Sequence, residues 1–136
     1  MNESQFTSNV HKRVTKNVHC WKIRDDFNNK KVDAFYRYKC GLGSPTWIEY
    51  KYIKKLPKRA TTVIKPDLTA GQREFLNDAN RAGESGLVII GYKSQGVILE
   101  PHEFDGITTE QFTQRLMTYN DLAFQIESVV SMRRTA

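Results

Sequence analysis

The sequence predicts an α/β (α+β) fold, one domain over 1–136 in which a mixed β-sheet is flanked by helices in the order α-β-β-β-α-β-β-α. Three observations carry this expectation. Segments 19–24, 32–39 and 46–53 are short, β-rich and punctuated by turn residues. The run GLVIIGY at 86–92 is continuously apolar, as in a strand covered on both faces. Helical spacing of apolar residues recurs at the start, the middle and the end of the chain.

In chain order, Ser4 to Lys16 reads as a short helix, because Phe6, Val10 and Val14 recur at spacing four with Ser4 as cap. HCWKIR at 19–24 alternates apolar and polar residues, and the Asp25-Asp26-Phe27-Asn28-Asn29 run is turn chemistry. VDAFYRYK at 32–39 is a second strand, followed by a loop through Gly41-Leu42-Gly43-Ser44-Pro45. TWIEYKYI at 46–53 alternates strictly: Trp47, Glu49, Lys51 and Ile53 share one face, and Ile48, Tyr50 and Tyr52 the other. The three strands form an antiparallel meander. Lys54 to Asp67 reads as an extended, basic, mobile loop. Thr69 caps a helix to about Ala82, with Phe75, Leu76 and Ala79 inward and Gly83 as its stop. After 86–92, a Ser94–Gly96 turn leads into a strand at 95–99. Thr109 to about Arg133 is helical, with Phe112, Leu116, Leu122, Ile126 and Val129 apolar and a break near Asn120-Asp121.

Composition narrows the function. Hydrophobic residues make up 39% of 136 residues, enough for a globular core without a disulfide or metal staple. No apolar run approaches the ~18 residues of a membrane span. The start Met1-Asn2-Glu3-Ser4 carries no basic-then-apolar leader, and Cys20 and Cys40 lack CxxC spacing, so a reduced, cytoplasmic protein is expected, with a single disulfide between the two cysteines as the alternative. No phosphate-cradling glycine motif supports nucleotide binding. His11, His19 and His102 form no HxH or HxxxH pair, which favours structural or surface roles over zinc.

Charge is uneven. Residues 1–66 hold 15 Lys/Arg against 5 Asp/Glu, a net of +10, while residues 67–136 hold 6 against 10, a net of −4. Lys51 to Pro66 alone contains six basic residues and no acid. Such polarity suits a polyanionic partner, with nucleic acid foremost, although a solvated lysine-rich face has the same composition.

Glu49 and Lys51 project from one strand face among apolar neighbours, and buried charges need a partner or a metal. Asp33 lies on the preceding strand, where pairing can set it opposite Glu49. Two carboxylates and a lysine at a strand junction form a hard-oxygen site suited to Mg²⁺, with Mn²⁺ able to substitute, and the chemistry that needs this set is phosphodiester hydrolysis. An E-x-K pair on an exposed strand also serves simply as a same-face salt bridge. Lys54, Lys55, Lys58, Arg59 and Lys65 flank the proposed site as phosphate contacts. Tyr36, Tyr38, Tyr50 and Tyr52 read as packing and cross-strand pairs rather than base-stacking platforms.

Four motifs in order, V-D-A-F-Y at 32–36, W-I-E-Y-K at 47–51, K-K-L-P at 54–57 and L-T-A-G-Q at 68–72, resemble the PD-(D/E)XK nuclease superfamily. The likeness is to small phage and bacterial nucleases akin to VRR-NUC domains and to archaeal-type Holliday-junction resolvases, and it spans about Lys22 to Tyr92. It implies a restriction-endonuclease-like core and a Mg²⁺-dependent DNA endonuclease acting on branched or structured DNA, or as a phage or homing-type enzyme. It makes Asp33 and Glu49 the metal-binding carboxylates, Lys51 the catalytic lysine, the Tyr50 backbone carbonyl a further ligand and Gln72 a helix residue beside the site. It also implies an additional first-helix acid, for which Glu3 is the available residue. Val32 stands where the family has proline, and Asn28-Asn29-Lys30-Lys31 replace the usual glycine, so Asp25 or Asp26 is an alternative to Asp33. Two active sites for two strands imply a homodimer, with the C-terminal helix a candidate interface, and phage origin would place the protein in the host cytoplasm. The rivals are a non-catalytic nucleic-acid-binding or accessory module that retains the fold, and an inhibitor whose basic face engages a nucleoprotein.

Overall fold

The structure is a computed structural model and describes residues 1–23, 32–39 and 43–132. Its elements are α1 (Glu3–His11), β1 (Val18–Lys22), β2 (Ala34–Tyr38), β3 (Thr46–Ile53), β4 (Val63–Ile64), α2 (Ala70–Arg81), β5 (Ser85–Tyr92), β6 (Gln95–Leu99), a 3-10 turn (Pro101–Glu103), β7 (Ile107–Thr108), α3 (Thr109–Gln114), β8 (Met117–Thr118) and α4 (Tyr119–Ser131). The main sheet runs β1-β2-β3-β5-β6-β8. β3 and β5 are parallel, as a strand–helix–strand crossover through α2 requires, and the remaining pairs are antiparallel. This is the mixed, helix-flanked sheet that the sequence predicts, with every predicted element present.

Two cores lie on opposite faces of the sheet. Even positions of β3 and odd positions of β5 (Ile48, Tyr50, Leu87, Ile89) meet Phe6 and Val10 of α1 and Leu122, Ile126 and Val130 of α4. Val88 and Ile90 point the other way, to Leu76 of α2, Val97, Leu99, Phe104 and Phe112. Strand β5 is therefore buried on both sides, as its apolar run predicts. Asn80 pins α2 to its start: the side-chain amide donates to the Gly86 carbonyl and its oxygen accepts the Gly86 N–H, both at 3.0 Å. Tyr36 and Tyr50 are fully buried and Tyr38 and Tyr52 partly so, in keeping with packing roles.

Glycine decides how closely α1 approaches. Gly91 and Gly96 are paired across β5 and β6, and a Cβ on either would meet the Phe6 ring at 2.8 Å. Phe6 sits in the space that these two missing side chains leave, with Tyr50, Tyr52 and Tyr119 around it at 5.6–6.4 Å between ring centroids.

Several expectations are corrected. Asn2, not Ser4, caps α1, through a capping box with Gln5, and the helix ends at His11 rather than Lys16. Past His11 the bonds shorten to i→i−3, with Arg13 N–H to Val10 and Val14 N–H to His11, which turns the chain toward β1. The 54–67 segment is not a free loop. Its β4 pairs with β7, and Thr62 and Ala60 carbonyls accept the Thr109 and Glu110 N–H groups, so distant sequence supplies partners that local composition does not reveal. The turn before β6 is Lys93-Ser94, with Lys93 at φ +54, while Gly96 lies inside the strand. The C-terminal helix breaks at 115–118, ahead of Asn120-Asp121, because the Thr118 side chain accepts the Asp121 N–H and starts α4 afresh. Phe112, Leu122 and Ile126 are core residues and Leu116 packs against the core, so the apolar stripe proposed as an interface is spent internally. Arg24, Asp25, Asp26, Cys40 and Arg133 lie outside the described residues.

Candidate metal centre

The β2–β3 ladder pairs Ala34 with Ile48, Phe35 with Trp47 and Tyr36 with Thr46. The next pair in that register would be Asp33 with Glu49, and there the two strands part. The Asp33 carbonyl still accepts the Ile23 N–H toward β1, at 2.8 Å. Toward β3 its side chain takes over: Oδ2 accepts the Tyr50 N–H at 2.9 Å. A carboxylate thus replaces a backbone carbonyl at the end of the ladder, which fixes its position beside Glu49. Val32 is buried in the α2-side core.

Glu49 is 3% exposed. Lys51, two residues on and on the same face, places Nζ 3.3 Å from Glu49 Oε2. The other oxygen, Oε1, is buried without a hydrogen-bond partner. An unsatisfied buried carboxylate oxygen costs on the order of 1–3 kcal/mol or more, so it marks a position kept for something other than stability.

Glu3, in the first turn of α1, completes the group. One carboxylate oxygen each from Glu3, Asp33 and Glu49 lies within 4.8 Å of the others. Burial, and then the charge of Asp33, push the Glu49 carboxyl up to about 8, against the opposing pull of Lys51. Burial followed by Asp33's charge and hydrogen bond push Glu3 up to about 7. Three carboxyl groups this close repel when all are ionised, and a divalent cation relieves that repulsion. The donor set is all oxygen, which fits Mg²⁺ or Mn²⁺ rather than a soft metal. A cleft of about 280 Å³, lined by Glu3, Ser4, Thr7, Lys22, Ile23 and Asp33, opens onto the group.

The remaining predicted residues fall as follows. Tyr50 lies between Glu49 and Lys51 in β3, its ring turned to the opposite face, where its hydroxyl meets that of Tyr36. Gln72 stands in the first turn of α2, and its Oε1 accepts the Thr69 N–H at 3.1 Å, closing the capping box that starts the helix. The structure gives Gln72 this capping contact and does not include it in the carboxylate group. Lys54, Lys55, Lys58, Arg59 and Lys65 are all exposed, and none is paired with an acid among the described residues. Lys54 and Lys55 directly follow β3, on the side to which Glu49 and Lys51 lead. His11 is half-buried against Tyr36 and Tyr50, His19 stacks on Trp21 and His102 lies near Glu100, so no histidine joins the acidic group.

One feature escaped sequence reasoning. His19, Trp21, Phe35 and Trp47 form a run of aromatic contacts across β1, β2 and β3, on the sheet face that carries Glu49 and Lys51. The alternation H-x-W followed by F-x-R was its only local trace.

No protein-family model matches the chain, and no curated protein matches it. Among solved structures, it is similar to that of Archaeoglobus fulgidus Hjc, a Holliday junction resolvase from an archaeal hyperthermophile, with 14% identity and a TM-score of 0.53 over 90% of this chain and 96% of that one. At that identity the likeness is one of fold, and it places the mixed sheet with its flanking helices among architectures that include a junction resolvase.

Proposed function

We propose that the chain, taken as one nuclease-like domain over 1–136, is a metal-dependent endonuclease of PD-(D/E)XK type that hydrolyses phosphodiester bonds in branched or structured DNA. The observation that carries this reading is the convergence of Glu3, Asp33 and a buried, half-satisfied Glu49 beside Lys51. The likeness to a resolvase fold supports it.

In this reading Asp33, Glu49, the Tyr50 carbonyl and Glu3 hold Mg²⁺, or Mn²⁺ in its place. The cation, when bound, supplies Lewis-acid polarisation of the phosphoryl oxygen and acidifies water. Lys51 orients the attacking water and steadies developing negative charge. Its ammonium is already held by Glu49, so it needs little reorganisation. Asp33 is fixed by the Tyr50 N–H and does not swing away when the site is empty of substrate. Gln72 adds a side-chain amide donor from α2. Lys54, Lys55, Lys58, Arg59 and Lys65 hold phosphates of the flanking backbone, and the tether of β4 to β7 anchors the segment that carries them. The product carries a 5′-phosphate. A homodimer would present two sites to a junction, and small phage-encoded nucleases working in a host cytoplasm are the setting this fits. No helix among the described residues is long and apolar enough to cross a membrane.

The test is cleavage of labelled duplex, nicked and four-way-junction DNA with Mg²⁺, Mn²⁺ or EDTA, comparing wild type with Lys51→Ala and Glu49→Ala. Metal-dependent cutting that both substitutions remove while binding persists is the expected result. Binding without cutting under every metal would instead make the chain a non-catalytic module on this fold.

A further inference from the structure

We infer that the aromatic run on the open face of β1 and β2 is a stacking platform for unpaired nucleobases, which makes the substrate class DNA with exposed single-stranded bases beside the scissile bond; this rests on the nuclease reading above. Trp21 is 42% exposed, unusual for the largest apolar side chain when ample core is available. It stacks on His19 at 4.9 Å and 21° and on Phe35 at 5.5 Å and 19°. Both centroid separations exceed the ~3.5 Å thickness of a ring contact, so the near-parallel rings are not tightly closed on one another, and Trp21 keeps its large exposed area. Phe35 leads on to Trp47 at 4.4 Å. Trp47 is the fixed end of the run: its indole N–H donates to Glu84 at 2.9 Å, and its ring meets Phe75 of α2 edge-on.

The charge around the open end suits a nucleic-acid strand. The Arg37 guanidinium lies over the Trp21 ring at 5.6 Å and is exposed, as is Lys39. Lys51 stands on the same face of β3, and Glu84 lies at the fixed end, away from Trp21. Register fixes the distance to the carboxylates. Trp21 pairs with Phe35, Phe35 with Trp47, and Glu49 is two residues beyond Trp47. Two strand spacings and two residues of rise separate the Trp21 and Glu49 Cα atoms by roughly 12 Å. That is about three or four nucleotides of a stacked strand, so one strand can touch both. Fully paired DNA keeps its bases inside the helix and offers nothing to such a platform. Unpaired bases at a gap, flap or single-stranded branch have exposed faces, and aromatic rings bind them without regard to sequence.

The experiment measures anisotropy of labelled oligothymidylate and of a fully paired duplex in EDTA, where no cutting occurs, for wild type, Trp21→Ala, Trp21→Phe and Trp21→Leu. Trp21→Ala and Trp21→Leu are expected to weaken oligothymidylate binding by about 5- to 100-fold, the worth of stacking one base. Duplex affinity should hold, and Trp21→Phe should recover most of the loss. In a Trp47→Phe protein, whose remaining indole is Trp21, oligothymidylate should quench the fluorescence and the duplex should not. Quenching is read without altering Trp21, so it decides the matter even where Trp21→Ala fails to fold. Absence of quenching, or equal losses on both DNAs, would overturn the platform and leave a ladder that only stiffens the hairpin. Metal-dependent cutting by the wild type is scored separately. A protein that cuts without quenching loses the platform alone, and one that quenches without cutting loses the nuclease reading alone.

Discussion

Glu49 and Tyr50 are neighbours on β3, both almost fully buried, and they face opposite cores. On the α1 side the Tyr50 hydroxyl meets Tyr36, whose hydroxyl in turn meets His11 Nε2, so each buried polar atom has a partner. On the α2 side Glu49 keeps one oxygen on Lys51 and leaves the other bare, with two more carboxylates within reach. Both faces bury polarity, but only the first is satisfied by the fold itself. A satisfied buried network specifies structure, whereas an unsatisfied one is held in place by its surroundings at a cost in stability.

That contrast breaks most sharply at Glu49. Glu49→Gln removes the charge but little volume. It is expected to lower metal-dependent cleavage on the order of 10³-fold, while raising the melting temperature of the metal-free protein at pH 8, where burial of the wild-type carboxyl disfavours its charged form. Calorimetry alongside cleavage assays checks both signs. A variant that loses stability as well as activity would make Glu49 a structural partner of Lys51 instead.

Next in size is the α1 seat. Gly91→Val places new atoms against Phe6 and should cost about 2–3 kcal/mol in chemical denaturation. Tyr36→Phe tests the satisfied face: it strips the link between His11 and Tyr50 and should cost about 1–3 kcal/mol with metal-dependent cutting retained. Equal losses of activity and stability would show that the two faces are not separable.

The smallest effect is pH dependence without metal. Glu49 and Glu3 have folded values near 8 and 7, above the ordinary value of 4.5. Their stabilising contribution is complete below about pH 4.5 and is lost as pH rises through 7 and 8. Half-buried His11 is held down to about 4 by desolvation and by Lys22. It therefore acts in the opposite sense, with stability rising between about pH 4 and 6.5, and is silent above that range. From pH 6.5 to 8.5 the melting temperature of the metal-free protein should fall by about 5 °C, a fall that excess Mg²⁺ removes. Thermal melts with EDTA and with Mg²⁺ read the difference directly.

Much of this was legible in the chain. Strict alternation at TWIEYKYI gave both faces of β3 and the shared face of Glu49 and Lys51, and Thr69 with Gly83 bounded α2 correctly. These signals are local, because each residue's neighbours two or four positions away decide its side. What was not legible depends on partners far along the chain. The 54–67 segment looked mobile because its partners sit at 107–110. The Trp21–Phe35–Trp47 run was hidden because register across three strands pairs residues far apart in sequence, which local pattern does not reveal. Asp33 was proposed opposite Glu49, and the geometry puts it there, but its exchange of a carboxylate for a ladder carbonyl has no sequence signature.

The glycine pair beneath Phe6 has a reach beyond packing. Glu3 is one helical turn before Phe6, so the depth at which that ring settles sets how far the carboxylate extends toward Asp33 and Glu49. A methyl group added at Gly91 or Gly96 acts as a shim under Phe6, and the displacement is felt one turn away as a carboxylate out of range. The spacing of the acidic trio is thus partly written in two side chains that are not there, and graded substitution at these positions would alter how many carboxylates converge without touching any of them.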